Sequence, residues 1–362
     1  MQLTSPVLVV IGAGLALGLP ILLVITWRRR PHGLTGAGLR LVGILLSQVL
    51  AIGTVLLVAN NTYNFYNSWG DILGEQNGGV PAATAGNLVP ADGSLGRVVS
   101  LTVRVPGAKG PSSERLPVLA WLPRQYEQRQ FAKTRFPVLM LLPGQPSTPQ
   151  GVFAGLDFAR QATAAIDAGR VKPFVVVVPP ILIDPPRDTE CTNVPNGPQA
   201  ETWLADNVRS QVIRKLRVER DARHWSAMGM STGGFCAAKL LLRNPTLFGA
   251  AVSIGGYFTA ETDSTTGDLF GGSAQLRREN SPSWLIKQAG ARQTNLLVVV
   301  SQQDKDSYRG VSYADSAAFI AANKGTPGVA TILLPSGGHS FQTYRPTVPG
   351  SLQWLMQIGS LG

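Results

Sequence analysis

Charge is scarce in this chain. Only 15% of its 362 residues are charged, against roughly a quarter in ordinary soluble proteins. No acidic residue occurs before Asp71. Histidine is scarcer still: His32, His224 and His339 are the only three. Cysteine occurs twice, at Cys191 and Cys236. Each shortage excludes something. No His, Cys and carboxylate grouping has metal-ligand spacing, so no metal and no cofactor is expected. No basic run is interleaved with aromatics, which argues against a nucleic-acid partner. Three histidines leave a short list for any general base.

What the acid-free start contains is apolar sequence. Residues 6 to 27, PVLVVIGAGLALGLPILLVITW, carry no charge, and neither do residues 41 to 59, LVGILLSQVLAIGTVLLVA. A membrane helix needs about 20 apolar residues, so both are long enough to span. A signal peptide would place its positive charge before a short apolar core. Here Arg28, Arg29, Arg30 and Arg40 come after the first run. By the positive-inside rule that loop is cytoplasmic, and everything after residue 60 is extracytoplasmic. Tyr63, Phe65, Tyr66 and Trp69 suit an aromatic belt at the membrane surface,. A Gly/Pro/Ala-rich tether follows. The expected division is residues 1–60 for the two spans, 61–97 for the juxtamembrane segment and linker, and 98–362 for one further domain. The net charge is +11; without the four span-flanking arginines, 28 basic residues face 21 acidic ones, a net of +7. A basic domain held at a membrane favours anionic lipid or envelope polymer.

Beyond residue 97, β-like and helix-like stretches alternate, the pattern of an α/β layer fold. VVSLTVRV, LPVLAWL, FPVLMLL, KPFVVVVPPIL, HWSAMGM, FGAAVSIGGYF, NLLVVVS and ATILLP predict about eight strands. The continuous apolar runs among them suit strands buried on both faces. Helices are expected near 152–168, 200–217, 233–243, 283–291, 312–323 and 351–359. No internal repeat is visible.

Gly229-Met230-Ser231-Thr232-Gly233 is the sole G-x-S-x-G in the chain, and it sits between a strand and a helix,. A serine projected above a sheet rim needs a sharp turn, and glycine at the flanks removes the clash a Cβ would make. The positive end of the following helix points to where negative charge would develop. A serine hydroxyl needs a base. His32 lies in the arginine loop, and His224 opens the strand that Ser231 ends, which places it at the opposite sheet edge. His339, after the last strand on a Gly337-Gly338 approach, is left by elimination. The acid is expected between them in chain order. Asp304 follows the strand NLLVVVS; Asp306 is the alternative. For an oxyanion hole, the amide of Thr232 and that of Gln145, after Pro143-Gly144, are the expected donors, with Gly144 as the alternative to Gln145.

These residues resemble the esterase D family of α/β-hydrolases, which includes the actinobacterial mycolyltransferases of the antigen 85 type. The likeness is carried by LLPGQ, GMSTGGFCAAKLLLRNPTLFGAAVSIGGYF, SQQD and GGHSFQTYRPTVPGSLQWL, and covers roughly residues 98 to 362. It implies an α/β-hydrolase fold with about eight mostly parallel strands, here preceded by two transmembrane helices. It implies Ser231 as nucleophile, Asp304 as acid and His339 as base. Asp304 and Phe341 stand where mycolyltransferases carry Glu and Trp, so the resemblance implies acyl-ester chemistry rather than mycolyl transfer itself. The two cysteines, an even pair beyond the spans, are expected to form a disulfide that ties the loop around Cys191 to the helix carrying Cys236. Similar family members pair such segments.

The expectation is therefore a membrane-anchored extracytoplasmic serine esterase or acyltransferase that works through an acyl-enzyme. Its substrates would be acyl or aminoacyl esters of membrane lipids or envelope glycans. Mycolyl transfer and aminoacyl-phospholipid hydrolysis are the narrower alternatives. A catalytically silent scaffold that partners a membrane complex is the alternative from a different class.

Overall fold

The computed structural model describes residues 6–27, 33–63, 88–106, 115–289, 294–304 and 312–362. The chain divides into two compact units, Met1–Glu75 and Gln76–Gly362.

The first unit is a helical hairpin. Helix α1 (Pro6–Thr26) and helix α2 (Leu34–Tyr63) contain stretches, Val7–Thr26 and Thr35–Asn60, long and apolar enough to cross a membrane. Their apolar side chains point outward, Leu17 and Val24 at 70% and 74% exposure. In water such surface would collapse; in hydrocarbon it is already at home. Small residues let the two backbones approach: a Cβ on Gly12 would lie 2.9 Å from Thr54 Oγ1, and one on Gly43 2.5 Å from Leu23 Cδ2,. The aromatic residues Phe65, Tyr66 and Trp69 and the arginines Arg28 to Arg30 lie outside the described residues.

The second unit is built on an eight-stranded sheet: β1 (Arg97–Arg104), β2 (Arg115–Leu122), β3 (Val138–Leu142), β4 (Val175–Val178), β5 (Trp225–Met230), β6 (Ala250–Ile254), β7 (Leu296–Ser301) and β8 (Val329–Leu334). Their order is β1-β2-β4-β3-β5-β6-β7-β8. β1 and β2 pair antiparallel, as do β2 and β4; every other neighbour is parallel. β3 to β7 are buried at every position. That is why they read as unbroken apolar runs: helices cover both faces. One core contains Trp203, Phe235 and Phe258, and the other Phe158, Phe174 and Leu352. This is the α/β-hydrolase architecture, with its predicted strands in place.

The helices are α3 (Pro149–Gly155), α4 (Phe158–Asp167), α5 (Ala200–Thr202), α6 (Arg209–Lys215), α7 (Thr232–Arg243), α8 (Ala274–Glu279), α9 (Pro282–Gln288), α10 (Ser312–Ala322), α11 (Phe341–Tyr344) and α12 (Val348–Gln357). The short helices α8 and α11 were not expected from the sequence, and two of the expected helices take a different form. The helix expected over 152–168 is two helices, because Asp157 adopts a left-handed φ of 49° that no α-helix continues,. The helix expected over 200–217 passes through a π-helical turn, Trp203–Val208, which seats Trp203 fully in the core,.

Candidate active site

The parallel strands β3, β5, β6 and β7 end at one rim, and the segments leaving them meet there. β5 ends at Ser231, which has φ 58° and ψ −126°. That is a strained conformation for any residue with a Cβ. It is held by the Ser231 amide donating to Ile254 O at 2.9 Å, and α7 starts one residue later. The first-turn amides of a helix have no intrahelical acceptor, so Thr232 presents its N–H beside the serine. The glycines of the motif are sterically required. A Cβ on Gly229 would lie 2.3 Å from Gly233 O, and one on Gly233 2.3 Å from Leu142 O. Gly229→Ala is accordingly expected to destabilise the second unit by about 3 kcal/mol, the upper part of the overpacking range. A chemical denaturation midpoint indistinguishable from wild type would mean the turn relaxes freely.

The turn after β3 lies directly on this serine. A Cβ on Gly144 would be 2.8 Å from Met230 O and 2.8 Å from Ser231 Cβ, and 3.5 Å from Ser231 Oγ. Gln145 follows, half-buried, ahead of a cis bond to Pro146. Thr148 then caps α3 by accepting from the Gly151 amide at 3.0 Å.

β7 delivers Asp304, whose side chain is buried. His339 comes from the segment after β8, and its Nδ1 lies 2.9 Å from Asp304 Oδ1 and 3.0 Å from Oδ2. The structure thus brings two residues 35 positions apart into contact. One further contact joins Asp304 to the serine turn, and another ties the His339 segment to α3. Gly255, next to the carbonyl that holds Ser231, would carry a Cβ 3.0 Å from Asp304 Oδ2. Gly155 of α3 packs on Phe341, two residues beyond His339. His224 instead closes a short turn, Ala222–His224, at the far end of β5. His32 and Asp306 lie outside the described residues. Among the described residues no group of three or more His, Cys, Asp or Glu could hold a metal ion.

One residue escaped the sequence reading. Tyr344 is fully buried on α11, and its hydroxyl donates to Asp304 Oδ2 while accepting from the Ser301 amide at 3.2 Å. Burial, reinforced by the charge of Asp304, drives its ionisation far above the ordinary phenol range,. The phenol therefore stays a proton donor to the carboxylate at any working pH. The available signal was its spacing: Ser340 caps a one-turn helix, which turns the residue five after His339 back under Asp304.

Behind the serine, α7 is tied to the loop at 188–193 in two ways. Cys191 and Cys236 form a disulfide across 45 residues. Lys239, on the same face of α7, is fully buried and donates to Glu190 O at 2.6 Å, Thr192 Oγ1 at 2.9 Å and Asn280 Oδ1 at 3.3 Å. Burial pulls its pKa down to about 8, against the opposing pull of Glu201 and Glu190. The Glu190 carboxylate accepts from Tyr257 Oη at 2.5 Å and from the Glu261 amide at 3.2 Å. A Cys191→Ala/Cys236→Ala double variant frees the 45-residue loop in the unfolded chain. Chain entropy puts its expected cost at about 4 kcal/mol. Urea unfolding of the two proteins measures it, and a loss under about 1 kcal/mol would assign the restraint of the loop to Lys239 instead.

The family model described as "Putative esterase" matches residues 112–355, two thirds of the chain. An uncharacterized protein of Corynebacterium glutamicum is 25% identical over 246 residues, 63% of this chain and 54% of its own length. The chain thus spans about half the length of the curated relative it matches. FphF, a fluorophosphonate-binding serine hydrolase of Staphylococcus aureus, superimposes with a TM-score of 0.58 at 19% identity, over 72% of this chain and 98% of that one. MPT51 (FbpC1) of Mycobacterium tuberculosis superimposes with a TM-score of 0.56 at 16% identity, over 73% and 99%. These structural likenesses concern the fold.

Proposed function

The chain belongs to that esterase family, a family of serine ester hydrolases, and on this premise we propose that it is a membrane-anchored esterase or acyltransferase working at the rim described above. Ser231 attacks the ester carbonyl while His339 takes its proton. Asp304 holds the other ring nitrogen and stabilises the imidazolium that forms. The developing oxyanion is received by the amides of Thr232 and Gln145. The leaving alcohol takes the proton back from His339. Water or an acceptor alcohol then attacks the acyl-enzyme by the same route in reverse.

The observation that carries this reading is the His339–Asp304 contact at the same rim as the strained Ser231. The location follows from other features. The arginines between the two apolar cores, Arg28 to Arg30 in the connection and Arg40 in the first turns of α2, support an orientation of the second unit away from the cytoplasm. The disulfide suits an oxidising compartment,. A domain held there meets acyl or aminoacyl esters of lipids and envelope glycans before it meets soluble metabolites.

A membrane-impermeant fluorophosphonate probe tests both parts. Intact cells are expected to give labelled wild-type chain, with the adduct on the tryptic peptide containing Ser231. Labelling only after permeabilisation would place the second unit in the cytoplasm and remove the envelope substrates. Folded protein that takes no label under either condition would make the chain a silent scaffold.

A further inference from the structure

The first and last turns of a hairpin seldom oppose two like charges. Here Arg104, the last residue of β1, stands directly across from Arg115, the first of β2. Residues directly opposite on an antiparallel pair share a face, and two like charges there are destabilising. Neither arginine has a carboxylate within ion-pair distance among the described residues, and both are exposed. Among the described residues nothing supplies a counter-charge to this pair.

The hairpin end opens on a cavity of about 320 Å³, walled on its other side by the π-helical turn and α6. Arg214 lines it as a third cation, with no carboxylate in ion-pair range among the described residues. Its guanidinium is aimed by a hydrogen bond to Gln211 Oε1, while Gln211 Nε2 donates to Thr102 O at 3.1 Å and pins α6 to β1. Asn207 and Ser210 add an amide and a hydroxyl; Asp206 is the single carboxylate in the lining. Arg209, at the start of the same helix, is turned away onto the Trp225 ring, 4.9 Å from its centroid. The cavity lies at the β1 edge of the sheet, whereas Ser231 lies at the end of the inner strand β5.

We propose that this cavity is an anion site for a phosphate-bearing group, separate from the esterase rim. Three guanidiniums offer forked donors to a tetrahedral anion, which has acceptor oxygens enough for all of them. A planar carboxylate satisfies one fork. The volume admits a phosphate with a glycerol- or sugar-sized substituent. The shared chemistry of a lipid headgroup phosphate and of a free phosphate ester is what the site reads.

The test uses the full chain in nanodiscs, with inorganic phosphate as the probe and chloride at matched ionic strength as the reference. Saturable phosphate binding by calorimetry is expected, weakened about tenfold by Arg115→Gln or Arg214→Gln. Without phosphate, Arg104→Gln is expected to raise the thermal midpoint of the second unit by relieving the cross-strand repulsion. With phosphate, it should lose most of the ligand-induced rise seen in wild type. Adding phosphatidylglycerol to phosphatidylcholine discs weakens the binding of inorganic phosphate if a headgroup occupies the site, and leaves it unchanged if a soluble phosphate does. Three results would overturn the proposal: no saturable binding, binding that survives the Arg104→Gln/Arg115→Gln/Arg214→Gln triple variant, or an Arg104→Gln chain that melts earlier without phosphate.

Discussion

Ser231→Ala is expected to lower kcat for a short-chain chromogenic ester by about 10⁶, the loss that follows when a triad loses its nucleophile. The chain should remain folded. Ser231 is held in place by its backbone, through the 2.9 Å amide bond to Ile254 O, and alanine at φ 58° meets the same Cβ strain as serine,. The variant thus isolates the hydroxyl. Without it no acyl-enzyme forms. What should remain is the polarising effect of the proposed oxyanion donors, the Thr232 and Gln145 amides, on a bound ester, which would support a residual rate well above water alone. Turnover and the thermal midpoint, measured on the same preparation, separate the two effects. An intact midpoint with turnover above about 1% of wild type would mean that another group attacks the ester. Fluorophosphonate labelling that persists in the variant would say the same.

The strands β3 to β7 were legible because each is buried on both faces and so reads as an uninterrupted apolar run. FPVLMLL becomes β3, and NLLVVVS becomes β7. The apolar hairpin was legible from the length of its two uncharged runs alone. The serine turn was legible because its glycines answer a local clash, between Gly229 and Gly233, that is four residues wide. Legibility failed where the deciding contact is distant or the element short. Tyr344 reaches Asp304 across 40 positions from a helix of four residues, and nothing in FQTY announces it. Lys239 reads as one more polar residue on an amphipathic helix. Its burial depends on acceptors from three loop residues, Glu190, Thr192 and Asn280. The break at Asp157 and the π-helical turn at Trp203 arise from packing, which overrides helical propensity,. The facing arginines 104 and 115 needed the register of β1 on β2, which the intervening ten residues do not dictate.

Asp304→Asn is expected to lower kcat by about 10⁴ while leaving KM within a few-fold. The carboxylate places both oxygens within 3.0 Å of His339 Nδ1, and one of them also accepts from Tyr344. An amide has one acceptor oxygen for these two donors. If that oxygen faces Tyr344, its NH₂ faces the histidine and forces the ring into the tautomer that cannot accept from Ser231. If it faces the histidine, the Tyr344 hydroxyl meets an N–H donor in a buried space. Either way the positive imidazolium of the transition state loses its counter-charge. Tyr344→Phe removes only the support for Asp304, so its expected cost is smaller, between about 10 and 10² in kcat. Because Tyr344 acts through Asp304, adding Tyr344→Phe to Asp304→Asn should cost little more. Two independent roles would instead multiply. An Asp304→Asn chain that keeps more than a tenth of wild-type turnover would move the acid to another carboxylate, Asp306 first.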